Sequence, residues 1–113
     1  MMRARRRLAA GPVEAMDEVE AEYTWFFRAE FRGVVQTAYL LLHDRQRAED
    51  VAQEAFTQLL VHWRKVSRYE RPEAWVRRVA IRLASRTAKR ERRRVDLEQA
   101  AMPEPRQPTR DLD

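Results

Sequence analysis

Four arginines recur at every fourth position in the C-terminal half of the chain: Arg78, Arg82, Arg86 and Arg90. Residues four apart lie on one face of an α-helix, so this spacing predicts a basic stripe. Like charges at this spacing repel each other, and a planar guanidinium binds phosphate through two parallel hydrogen bonds. The stripe therefore predicts a nucleic-acid site. An anionic membrane surface and a solvated helix face are the alternatives.

Aromatic residues border the stripe at Trp63, Tyr69 and Trp75. Single-stranded nucleic acid is bound by such surfaces because bases stack on the rings while cations follow the backbone. Both tryptophans are also candidates for the core. We expect Trp75 to be partly buried and Tyr69, in a loop, to be exposed.

A second polar group lies in the run AEDVAQEAF, where Asp50 and Glu54 are four apart and Gln53 lies beside them. This face is either solvated or a docking surface for a basic protein partner. Carboxylates at this spacing could also hold a metal or do acid/base chemistry, but the histidine partners at the required offsets are absent, because His43 and His62 are far apart and no Glu-x-x-His pair exists. We therefore expect no enzymatic activity, no cofactor and no metal.

The charge is divided along the chain. The 113 residues carry a net charge of +5, but the range 14–56 has a net charge of −6 and the range 63–94 has +10. Segregated charge indicates two partner surfaces, one of them for a polyanion. A dipolar solvated surface is the alternative.

The elements that must position these residues are helical. The chain has only two glycines and five prolines, which favours an all-α fold over a β fold. Apolar periodicity predicts one domain of three main helices, with Asp44 as an N-cap and Pro72 in a first turn. The predicted segments are a flexible basic arm over 1–16, helices over 17–42, 45–63 and 72–94 within a domain over 17–94, a loop over 65–71, and a linker or tail over 95–113.

Apolar lines along the helices predict the core. The first helix is expected to bury Tyr23, Phe27, Val34, Ala38 and Leu41, flanked by Phe26, Phe31, Val35 and Leu42. The second is expected to bury Ala48, Ala52, Ala55 and Leu59, with His62 on the same line, and the third Val76, Val79, Ala80 and Leu83. Gly33 inside the first helix is expected to permit the close approach of a neighbour.

The apolar stretches are short. The longest, 38–42, is far below the roughly 20 residues of a membrane span, and the N-terminus has no apolar signal-peptide core. We expect a cytoplasmic protein without a membrane partner.

The motifs resemble region 2 of a bacterial sigma factor of the extracytoplasmic-function (ECF) group. The segment DRQRAEDVAQEAFTQLL resembles region 2.2, with its aspartate, glutamine, glutamate and following aromatic at Asp50, Gln53, Glu54 and Phe56. After a spacer, AWVRRVAIRLASRTAKRERRR resembles regions 2.3 and 2.4. The resemblance covers residues 23–94.

This resemblance implies a region 2-like helical bundle with two partners. It implies that Asp50, Gln53, Glu54 and Phe56 bind the clamp helices of the largest subunit of core RNA polymerase. It implies that Ser67, Arg68 and Tyr69 capture a flipped base of the minus-ten non-template strand, and that Trp75, Arg78, Arg82, Arg86 and Arg90 bind promoter DNA. An anti-sigma factor is a further implied partner. A helical module held by such a regulator, without DNA binding, is the alternative function.

Three features depart from the family pattern, the first of them at two positions. The family commonly has Asn where Arg82 stands, and often Asp where Arg86 stands. Ala74 and Trp75 occupy the place of the two adjacent tryptophans of primary sigma factors. The chain ends before any helix-turn-helix, so we expect a fragment or an unusually short member without region 4.

Overall fold

The computed structural model describes residues 12–102, with side chains from residue 17 onwards. Helix α1 spans Pro12–Leu42, α2 spans Arg45–Val61, the single-turn α3 spans Trp63–Val66 and α4 spans Pro72–Ala101. No strand occurs between residues 12 and 102. The prediction of an all-α fold with three main helices is confirmed.

The three long helices share one core. Helices α1 and α2 form an antiparallel pair, and α4 packs against both. Small residues line the contact surface of α2, where Ala48, Ala52, Ala55 and Leu59 are fully buried as predicted. Small side chains let the helix backbones approach closely, which favours tight packing of α2 in the bundle. Two expected core positions are wrong: Leu41 is 42% exposed and His62 is exposed.

An aromatic cluster fills one end of the bundle around Phe56. The Phe56 ring lies 4.9 Å from Phe27 and 5.7 Å from Phe31, measured between ring centroids. The hydroxyl of Tyr23 donates a 2.7 Å hydrogen bond to the Phe56 carbonyl oxygen. Burial raises the pKa of this hydroxyl above its usual value. The cluster therefore joins α1 to the C-terminal half of α2.

The turn between α1 and α2 is made by two residues. His43 has a φ of 52°, in the left-handed region, and its amide donates to the Tyr39 carbonyl oxygen at 2.8 Å, which ends α1. Asp44 then caps α2, because its carboxylate accepts from the Arg47 amide at 3.0 Å. The predicted N-cap is confirmed.

We expect His43→Gly to raise the free energy of unfolding by about 0.5–1 kcal/mol, since glycine adopts the left-handed conformation without steric cost and this gain exceeds the added entropy of the unfolded chain. Urea unfolding followed by circular dichroism measures the change. His43→Ala is the matched control, because it removes the imidazole but keeps the Cβ. An equal gain in both variants would contradict the conformational explanation.

The helix ends differ from the predicted ends at the first helix and the connecting loop. Helix α1 begins at Pro12, so residues 12–16 of the predicted arm are helical, while residues 1–11 lie outside the described part. Proline suits a first helical turn because its φ is already helical. The second helix ends at Val61, and the predicted loop over 65–71 begins within the single turn of α3. Burial of Trp63 and Val66 holds that turn in place.

Helix α4 continues beyond the predicted end at residue 94 to Ala101. All residues of the extension, 95–101, are exposed, so apolar periodicity could not detect it. Arg94 forms ion pairs with Glu91 and, at 2.9 Å, with Glu98, which supports a polar helix along its own surface. Met102 adopts an extended conformation because a proline follows it in the sequence. The predicted linker over 95–113 is therefore helical over its first residues, and residues 103–113 lie outside the described part.

Candidate functional site

The acidic face of α2 is exposed. Asp50, Gln53 and Glu54 project from the side of the helix opposite the buried alanine line, and with Thr57 and Gln58 they border a shallow groove. Gln46 donates a 3.2 Å hydrogen bond to Asp50. Neither Asp50 nor Glu54 forms an ion pair with another residue of the described part. Their charges are therefore available to a cationic partner.

The fourth residue assigned to this face, Phe56, lies elsewhere. Its side chain is 1% exposed and packs within the aromatic cluster. The position follows from helix geometry, because Phe56 is two residues from Glu54 and so lies about 200° around the helix from it. The expectation that Phe56 contacts a partner is corrected: this ring supports the acidic face from inside the core.

The basic stripe runs along α4, where all four arginines are exposed. Val76, Val79, Ala80 and Ala84 form the buried face of the same helix. Within residues 17–102, no acidic side chain forms an ion pair with Arg78, Arg82, Arg86 or Arg90. The stripe is thus an unneutralised cationic surface, as phosphate binding requires.

The loop before α4 adds side chains at the N-terminal end of the stripe. Arg68 is exposed and Tyr69 is 43% exposed, whereas Ser67 is half-buried and its hydroxyl donates to the Arg64 carbonyl oxygen at 3.3 Å. Trp75, in the first turns of α4, is half-buried, and its ring lies 5.7 Å from that of His62. The expected partial burial of Trp75 and exposure of Tyr69 are confirmed. The loop and the stripe form one continuous segment of basic and aromatic side chains.

The acidic face and the basic stripe meet in a cleft between α2 and α4. Asp50 and Glu54 line it from α2, and Arg86 and Arg90 line it from α4. Its apolar floor includes Val51, Leu83 and Leu97. The sequence indicated two separate surfaces, but the acidic face shares this cleft with the C-terminal half of the basic stripe, because α4 packs against α2.

Two ion pairs not found from the sequence join α4 to the other long helices. Arg47 on α2 pairs with Glu91 on α4 at 2.8 Å, and Arg94 contacts the same carboxylate. Hydrogen bonds from Arg47 and Arg94 lower the pKa of Glu91 from 4.5 to about 2. The sequence contains one indication of this ion pair: Glu91 is the single acid within the arginine-rich run 86–94.

The second pair explains Gly33. Arg77 Nη2 lies 3.3 Å from Glu30 on α1, and a Cβ at Gly33 would lie only 2.8 Å from the same nitrogen. The predicted close approach at Gly33 is confirmed, and the neighbour is Arg77. The Arg77 side chain therefore reaches across from α4 to α1 over Gly33.

Two further findings concern other classes of site. No group of three or more histidine, cysteine, aspartate or glutamate residues suited to a metal ion occurs in the described part of the chain. None of the helices between residues 12 and 102 has the length and apolar character needed to cross a membrane.

The family of the chain follows from its match to a family model. The model of sigma-70 region 2 matches residues 26–94, which is more than half of the 113 residues. The chain therefore belongs to the sigma-70 region 2 family. No curated protein and no solved structure matches the chain.

Membership of this family implies a sigma-factor role in RNA polymerase binding and promoter recognition. The family is one of transcription-initiation factor domains and not of enzymes. Residues 26–94 include α2, the loop and the whole basic stripe, so both candidate surfaces lie within the matched part.

Proposed function

We propose that the chain is the region 2 module of an alternative, ECF-type sigma factor that binds core RNA polymerase and recognises the promoter minus-ten element. One observation carries the proposal: a single bundle presents an acidic face on α2 and a basic stripe on α4, and neither is neutralised by an ion pair among the described residues. A protein partner with a basic surface fits the first, and the phosphates of DNA fit the second.

The polymerase surface consists of Asp50, Gln53 and Glu54. We assign it to the clamp helices of the largest polymerase subunit. Support comes from exposure, from the absence of competing ion pairs within the described part, and from the rigid core beneath the helix. Rigid support favours binding because fewer side chains lose freedom on association.

The DNA surface comprises the loop and the stripe. Ser67, Arg68 and Tyr69 receive an unstacked base of the non-template strand, and Trp75 offers a partly exposed ring beside them. The arginines of the stripe follow the backbone toward the C-terminal end of α4. Arg86 and Arg90 face the carboxylates of Asp50 and Glu54 across the cleft. Polymerase binding that covers those carboxylates removes negative potential near the stripe, so we expect polymerase binding to favour DNA binding.

The test is capture of purified bacterial core RNA polymerase by the immobilised chain. Binding that persists at physiological salt supports the proposal. A folded chain that does not retain core polymerase would contradict it, and folding is checked by circular dichroism on the same preparation.

Replacing Arg78 and Arg82 with alanine should weaken promoter opening while polymerase binding stays intact. The slope of log affinity against log salt for a non-template strand oligonucleotide should become shallower by about 1.4, since each phosphate contact to a single strand contributes about 0.7. Fluorescence anisotropy of the polymerase complex measures the slope. The matched control is Arg28→Ala with Arg32→Ala, an exposed pair of the same spacing on α1. Equal losses in both double variants would refute a specific role for the stripe.

A regulator of the anti-sigma type is a second candidate partner. The cleft favours it, because Leu97 is 63% exposed beside Leu83 on an apolar floor. Binding through this floor depends weakly on salt, whereas DNA binding falls steeply with salt. Both functions place the protein in the cytoplasm, where we expect it to act.

A further inference from the structure

Trp25 is the most exposed large apolar side chain of the described part, at 76%. It lies on the outer face of α1, away from the rings of Tyr23, Phe26 and Phe27 that pack toward the core. Shallow grooves flank it on two sides, with the small Ala21 bordering both. A tryptophan exposed beside a groove is typical of an interaction surface. The polymerase and DNA surfaces do not include Trp25, so neither of them explains its exposure.

The charge around Trp25 is acidic. Four exposed carboxylates, those of Asp17, Glu18, Glu20 and Glu22, line the grooves, and Arg28 is the one cation among the lining residues. None of the four carboxylates forms an ion pair with a residue of the described part. This charge repels nucleic acid and anionic membranes. The surface fits a basic polypeptide segment that offers a cation to the indole ring.

We propose that the occupant is the chain's own N-terminal segment, residues 1–11, folded back along α1. The segment contains four arginines and no acid. It joins α1 through Gly11 and Pro12, a dipeptide that favours a change of direction. Charge complementarity therefore selects this segment, and the proposal is independent of the proposed sigma-factor function.

The length of the segment matches the surface. Extended chain covers about 3.4 Å per residue, so Arg7 and Arg3 can lie up to about 17 Å and 31 Å from Pro12. A helix rises about 1.5 Å per residue, which places Glu18 and Trp25 about 9 Å and 20 Å from Pro12. The arginines thus span the acidic face and reach the indole ring.

Covalent attachment favours this occupant over a second copy of the chain. The basic stripe of another molecule has similar charge, but a short tether gives residues 1–11 an effective concentration in the millimolar range. In the docked state an arginine lies over the Trp25 ring while others pair with the carboxylates.

Contact quenching of a fluorophore tests the proposal. The chain has no cysteine, so Ala4→Cys provides a single attachment site for bimane, which tryptophan quenches on contact. We expect the folded protein to show static quenching, in which brightness falls without a matching fall in lifetime. Trp25→Phe should restore most of the lost brightness, and Glu18→Arg with Glu22→Arg should do the same.

Trp75→Phe is the matched control, because Trp75 is also partly exposed but lies on α4. This variant should leave the quenching unchanged. Equal recovery in the Trp25 and Trp75 variants, or no static quenching, would overturn the proposal. Quenching that rises with protein concentration would show that a second copy occupies the surface and would overturn it as well. Because all variants are compared without polymerase or DNA, the outcome does not depend on the sigma-factor function.

Discussion

Replacing Asp50 and Glu54 with arginine should lower the affinity for core RNA polymerase by about 100-fold or more, because two attractive charges at the centre of the surface become repulsive. Both side chains are exposed and unpaired within the described residues, so their loss breaks no ion pair of the fold. The affinity of labelled protein for purified core enzyme, measured at two salt concentrations, gives the change directly. Native circular dichroism of the variant separates lost docking from lost folding.

A change of net charge alone could also weaken binding, and Asp96→Arg controls for it. Asp96 is exposed on the extension of α4, outside the residues that match the family. Asp50→Arg and Asp96→Arg change the net charge equally, but only the first should weaken polymerase binding. Asp50→Asn with Glu54→Gln should give an intermediate loss, since it removes the attraction to the basic partner without adding repulsion. Retained affinity in the folded arginine variant would remove the docking assignment.

The acidic face shares its cleft with the basic stripe, so binding at the acidic face also affects the stripe. Arg47 and Glu91 join α2 to α4 beside it, and the lowered pKa of Glu91 keeps that pair ionised well below neutral pH. Gly33 lets Arg77 reach Glu30, which sets α4 on α1. Together with the shared core, these contacts hold the two binding surfaces in one packed bundle. This arrangement supports the expected coupling, since covering Asp50 and Glu54 changes the potential at Arg86 without a rearrangement of the helices.

Helix identity and much of the core could be predicted because each depends on local sequence. The alanine line of α2, the Asp44 cap and the first turn at Pro72 all follow from spacing within a few residues. The family resemblance was likewise carried by local motifs. The angle between α2 and α4, and hence the cleft, could not be predicted, because it depends on contacts between residues such as Arg47 and Glu91 that are distant in sequence.

The predictions that were wrong failed for a similar reason, because they depended on features that apolar periodicity and motifs do not specify. Extension of α4 to Ala101 relies on ion pairs along the helix surface rather than on apolar periodicity. Leu41 continues the apolar line of α1, but the helix ends at residue 42, where no neighbour covers Leu41 fully. Phe56 belongs to the motif that resembles region 2.2, yet motif membership does not distinguish a contact from its support. The burial of the Phe56 ring indicates that it supports the acidic face from the core.

Phe56→Ala should lower the free energy of unfolding by about 3–5 kcal/mol, the usual cost of removing a buried aromatic side chain. The ring is 1% exposed and lies within 6.2 Å of three phenylalanine rings, measured between centroids, so its removal leaves a cavity that the helices cannot close fully. Urea unfolding followed by circular dichroism measures the loss. A cost below about 1 kcal/mol would contradict the assignment of Phe56 to the core.

Phe56→Leu separates support from contact. Leucine fills part of the same space, so this variant should fold, with a loss of about 1–1.5 kcal/mol. Because the ring does not reach the surface, the folded Phe56→Leu protein should bind core polymerase with nearly unchanged affinity, in contrast to the arginine variant of Asp50 and Glu54. The Tyr23 hydroxyl bonds to the Phe56 backbone, and this bond survives the substitution. A folded Phe56→Leu protein that loses polymerase would instead place the side chain in the interface, and would require α2 to rotate when the complex forms.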